Sequence, residues 1–68
     1  MDLTVGMRGS ISLQGLEVGG IPCRFGTVAP GVIEDISGDE LTVRLDAPFG
    51  GQDVIEIGPD RFVQRTLG

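Results

Sequence analysis

Glycine or proline interrupts this chain every few residues, and that spacing leaves no room for a helix of ordinary length. Twelve glycines and four prolines are spread over 68 residues. No window between them carries the i, i+3, i+4, i+7 apolar spacing of an amphipathic helix over three turns. A period of two recurs instead. Leu41, Val43, Leu45 and Ala47 alternate with Glu40, Thr42, Arg44 and Asp46, the pattern of a strand with one buried face. Met7, Gly9, Ile11 and Leu13 share a face opposite Arg8, Ser10 and Ser12. Ile55 and Ile57 alternate with Val54 and Glu56, and Phe62-Val63-Gln64 reads as a short closing strand. With the apolar segment Val32-Ile33-Glu34-Asp35-Ile36, these make five strands and predict an all-β fold.

The connections are uneven. Ser37-Gly38-Asp39 suits a tight hairpin loop, because Gly and Asp tolerate the positive φ of such turns. Pro48-Phe49-Gly50-Gly51-Gln52-Asp53 reads as a second, slightly longer turn. Gly58-Pro59-Asp60-Arg61 reads as one 3₁₀ or β-turn, with proline fixing φ at its start. The first connection, residues 14–31, is long and rich in Gly and Pro, yet it carries Leu16, Val18, Ile21, Phe25 and Val28. A structureless loop of that length is unusual in so small a domain. It is expected to fold back on the strands, with an extra strand over Cys23 to Val28.

This order resembles that of the SH3-like small barrels. The resemblance is carried by Gly31-Val32-Ile33-Glu34-Asp35-Ile36, Leu41-Thr42-Val43-Arg44-Leu45 and Ile57-Gly58-Pro59-Asp60-Arg61-Phe62-Val63. These segments look like the layout of KOW-type barrels: a glycine with two β-branched residues, a turn, an alternating strand, a proline turn and a final strand. The resemblance implies one domain over residues 1–68, a five-stranded antiparallel SH3-like barrel with a long first loop. Such a fold hosts many unrelated functions, so function has to be argued from side chains.

Composition excludes several of those functions. A chain of 68 residues buries only about 60% of the surface its unfolded form exposes, and dimerisation is one way to bury more. No apolar run approaches the roughly 18 residues of a membrane span. Residues 1–20 show no basic start followed by an apolar run. A cytoplasmic domain without membrane contact is therefore expected, and the lone Cys23 has no internal disulfide partner.

Ten acidic residues face five basic ones, all arginine, and the net charge is −5. That balance disfavours nucleic acid as a partner. The rival reading, a KOW-like nucleic-acid binder, places Arg8, Arg44, Arg61 and Arg65 on a phosphate-binding face. Against it, three phenylalanines are the only aromatics, whereas single-strand binders add stacking platforms. A proline-rich peptide groove or a methyl-lysine cage uses clustered Tyr and Trp, and both are missing.

Catalysis lacks parts. Without His or Lys, a Ser or Cys nucleophile has none of its commonest bases, and the glycine clusters lack the Gly-Lys-[Ser/Thr] ending of a P-loop. Asp35, Asp39, Glu40, Asp46 and Asp53 have the spacing of hairpins rather than of a calcium loop, and zinc would have one Cys and no His. No cofactor or metal is expected, and no enzyme. What remains is a protein-interaction or accessory module, self-associating or docking on a protein partner. Its candidate contacts are Val18, Ile21, Phe25, Phe49 and Val54, which exceed what one small barrel needs inward. Val54 is the sharpest of them, since alternation sets it opposite the Ile55/Ile57 face.

Overall fold

The computed structural model describes residues 3–64. Among them seven strands run in chain order: β1 (Arg8–Ser12), β2 (Glu17–Val18), β3 (Ile21–Pro22), β4 (Val28–Ser37), β5 (Glu40–Phe49), β6 (Gln52–Ile57) and β7 (Phe62–Gln64). A 3₁₀ turn, Pro59–Arg61, leads into β7, and there is no α-helix among the described residues. Five strands form one antiparallel sheet in the order β6-β5-β4-β1-β7, while β2 and β3 form a separate hairpin. The sheet is not closed: β6 and β7 stand at its two edges. The all-β class and the five antiparallel strands are as expected, and closure into a barrel is not present in the described sheet.

Strand β5 follows its alternation closely. Leu41, Val43 and Leu45 are buried, and Thr42, Arg44 and Asp46 face outward or are half-buried. Ala47 departs from the pattern and is exposed, because regular pairing with β6 stops at Arg44↔Val54 and resumes only at Phe49↔Gln52. In β1, Gly9 and Ile11 point inward, and Leu13 just beyond the strand is also buried. Gly9 faces Gly31 across β1 and β4. A side chain on Gly9 would lie 2.6 Å from the Phe62 ring, and one on Gly31 would lie 2.8 Å from Val43. These two glycines leave the space that the core side chains fill.

Strand β4 is longer than its sequence suggests. It begins at Val28, with Pro30 opposite Ser10 of β1. Pairing with β5 begins only at Gly31↔Leu45, so the missing proline N–H falls where β4 has a single neighbour. Further along, Ile33 pairs with Val43 and Asp35 with Thr42, leaving Glu34 as an extra residue. This bulge resets the alternation. Without it, Asp35 would follow Ile33 inward; with it, Ile36 shares the core face with Leu41, although at the sheet's end it stays 38% exposed.

The extra pairing in the first loop lies at β2–β3 rather than over Cys23 to Val28. Glu17 pairs with Pro22 and Val18 with Ile21 around Gly19-Gly20. Both glycines have positive φ, 57° and 83°, the requirement of a two-residue type I′ hairpin. Residues 24–27 instead form a turn closed by the Thr27 N–H donating to the Arg24 carbonyl at 3.1 Å. The β5–β6 connection is likewise tighter than the sequence suggests. It consists of Gly50-Gly51 alone, again with two positive φ angles, 59° and 78°.

One cluster of buried residues holds these elements together. Ile11, Leu13, Ile33, Leu41 and Val43 are its most enclosed members, and Val18, Cys23, Ile57 and Phe62 complete it from the loop and the later strands. Arg61 fastens the 3₁₀ turn to the start of the first loop, its Nη1 donating to the carbonyls of Ser12 (3.1 Å) and Gln14 (3.0 Å).

Candidate functional site

The first loop returns to the sheet beside β6. Gly19 and Gly50 meet there backbone to backbone, so closely that a Cβ on Gly19 would overlap the Gly50 carbonyl. Between this contact and the outer edge of β6 lies a surface cleft of about 490 Å³. Residues 16–19 line one side, and Gln52 and residues 54–57 line the other, together with Thr42.

Among the described residues, the backbone of β6 has no partner toward that cleft. Ile33 donates its N–H to the Met7 carbonyl (3.0 Å) and accepts from the Gly6 N–H (2.7 Å), so its backbone groups point away from β5. Groups alternate along an antiparallel ladder. Val43, opposite Ile33, must therefore turn its own N–H and C=O to β6, where it meets Ile55. Val54 and Glu56, on either side of Ile55, consequently direct theirs outward, and neither has a further backbone partner among the described residues.

The cleft is acidic. Glu17 and Glu56 line it from opposite sides, and none of its lining residues is basic. Arg44 is the cross-strand neighbour of Val54, but its Nε donates to the Glu34 carboxylate. That hydrogen bond and the Glu34 charge, with a smaller contribution from Asp53, raise the Arg44 pKa above its ordinary value. The sequence singles out neither Glu17 nor Glu56 as a site residue. Their convergence follows from the matched Gly-Gly turns, which bring the two walls together.

The five apolar candidates occupy different environments. Val18 is 7% exposed and belongs to the core. Phe49 is half-buried against that core, and Val54 is half-buried on the cleft wall. Ile21 and Phe25 face solvent, at 47% and 92% exposure. Phe25 rides on a pinned turn: Gly26 N–H donates to the Gln14 side-chain oxygen (3.1 Å), and Leu13 N–H to the Thr27 carbonyl (2.9 Å). Val28, next along the chain, is also exposed.

Among the described residues, Arg8, Arg44 and Arg61 are not gathered into a free patch. Arg8 and Arg44 do share an outer row, either side of Val32. Arg8, however, faces Asp46 at 3.4 Å and Arg44 faces Glu34, while Arg61 is held by the two backbone carbonyls. Arg65 lies outside the described residues. Among the described residues no three His, Cys, Asp or Glu side chains converge as metal ligands, and no helix is long and apolar enough to cross a membrane. Cys23 is a buried free thiol, its sulfur 3.8 Å from the Ile21 carbonyl. No protein-family model, curated protein or solved structure matches the chain, so a functional reading has to stand on this surface alone.

Proposed function

We propose that the chain is an SH3-like barrel that serves as a non-enzymatic, cytoplasmic interaction module and self-associates through the tip of its first loop. The barrel reading is supported by the strand order, in which β7 returns to β1 after a 3₁₀ turn and β4, β5 and β6 form a meander. The interaction reading is carried by one observation: Phe25 is 92% exposed on a turn fixed by hydrogen bonds on both sides. Leaving a phenylalanine in water forgoes roughly 1.5–3 kcal/mol of burial, and exposed aromatics in ordered turns serve as interface anchors. Ile21 and Val28 add exposed apolar surface on the same stretch of chain. A second copy supplies an apolar surface of the same kind, as a two-fold dimer requires.

Sedimentation velocity over a wide concentration range tests the proposal. The wild type is expected to show a concentration-dependent dimer, and Phe25→Ser a monomer with an unchanged circular dichroism spectrum. A wild type that remains monomeric at every concentration overturns self-association.

A further inference from the structure

A second surface, separate from Phe25, has the makings of a binding site. Strand β6 is an edge strand of six residues, and along it Val54 and Glu56 present outward backbone groups that no other described residue pairs. Unpaired edges of this kind are templates for another strand. Here the edge is flanked by a cleft with Glu17 on one wall and Glu56 on the other. We infer that the cleft accepts an extended, lysine- or arginine-rich segment of another protein, which adds to β6 as a further strand.

The chemistry of the occupant follows from the lining. An incoming strand satisfies the N–H and C=O groups of Val54 and Glu56 with its own backbone. Its side chains alternate between the two faces, so basic residues at every second position can all point to the carboxylate-bearing side. Ile55 and Leu16, also on the cleft lining, give the intervening positions apolar contact. Arg44 does not oppose this, because its charge is matched by Glu34. A second copy of this chain is a poorer occupant. Two β6 edges brought together would place the Glu17 and Glu56 carboxylates of both copies in one cleft, and like charges across paired strands repel.

The probe is a fluorescein-labelled peptide, Lys-Val-Lys-Thr-Lys-Val, followed by anisotropy against the intact protein. Its control is the same sequence with every backbone nitrogen methylated, which keeps the charge and removes the ladder donors. The plain peptide is expected to bind, and the methylated one to bind at least about tenfold more weakly. Glu17→Gln/Glu56→Gln should weaken the plain peptide about tenfold, the worth of two partly exposed ion pairs. Asp35→Asn/Asp39→Asn, an equal charge change away from the cleft, should leave affinity unaltered. Amide exchange at Val54 and Glu56 should slow on binding.

Phe25→Ser should bind the peptide as the wild type does, so a failure of self-association and a failure of strand addition are separately visible. Absence of binding overturns the inference. So does equal affinity for the methylated peptide, indifference to the Glu17/Glu56 change, or unchanged exchange at the two amides.

Discussion

Gly19 and Gly50 touch through their backbones at the tips of two Gly-Gly hairpins, β2–β3 and β5–β6. The contact fastens the first loop to the sheet and sets one end of the acidic cleft. Each residue combines a positive φ, 57° and 59°, with no space for a Cβ. Gly38 has the same φ, 58°, but open space around it, and so separates the two effects. Gly38→Ala should lose only the left-handed backbone term, about 1–2 kcal/mol. Gly19→Ala should lose that and displace the hairpin as well, with a fall in Tm at least twice as large. For a domain of this size 1 kcal/mol corresponds to roughly 4–8 °C, so thermal melts resolve the two. Equal melting temperatures would show that the contact is not needed.

Arg61 makes a second fastening, between the 3₁₀ turn and the end of β1. Removing its side chain leaves the Ser12 and Gln14 carbonyls without their donor. Charge-assisted hydrogen bonds contribute about 1.5–3 kcal/mol. Arg61→Ala is therefore expected to lower the urea midpoint with an unchanged m-value. Arg61→Lys should recover part of the loss, since an ammonium can donate to both carbonyls as Nη1 does but is more strongly hydrated and sits on a more flexible stem. A midpoint unmoved by Arg61→Ala would remove this role.

These fastenings mark where the sequence was legible and where it was not. The alternation of β5 could be read because the bulge at Glu34 lies on β4 and leaves β5 itself unbroken from Glu40 to Leu45. The start of β4 could not, since Pro30 and Gly31 look like turn residues until β1 is seen as the sole neighbour up to Pro30, with β5 joining at Gly31. The β2–β3 hairpin escaped notice because two-residue strands carry no period, and only Gly19-Gly20 marks its turn. Val18 looked surplus to a small core, but the Gly19–Gly50 contact carries its hairpin inward. The cleft was invisible for a related reason. Glu17 and Glu56 are ordinary acids in their own segments, and only the docking of one turn on the other gives them a shared space.

The bulge at Glu34 makes a sharper test of register. Deleting Glu34 leaves Ile33↔Val43, Asp35↔Thr42 and Ile36↔Leu41 in an unbroken alternation. The sheet should therefore survive this deletion with a modest change in Tm, having lost the exposed ion pair to Arg44. Deleting Thr42 instead slips β5 by one residue, moving either Leu41 or Val43 and Leu45 to the outer face. That variant is expected to be unfolded by circular dichroism. If the Glu34 deletion unfolds the protein as fully, the assigned register is wrong.

The arginine pairs bear on the rival nucleic-acid reading. A phosphate-binding face needs uncompensated cations, yet Arg8 lies against Asp46 and Arg44 against Glu34. Arg44, its pKa raised above the ordinary guanidinium value by Glu34, keeps its charge at every working pH. Its pairing is thus present at neutral pH and lost on the basic side only as pH rises through that raised value. With a net charge of −5 over the whole chain, the wild type is expected to bind neither a single-stranded nor a duplex oligonucleotide at low salt, where electrostatic binding is strongest. Filter binding at several salt concentrations checks this. An affinity whose logarithm falls linearly with the logarithm of salt concentration, and which disappears in Arg8→Ala/Arg44→Ala, would favour the KOW-like reading over the protein-interaction module.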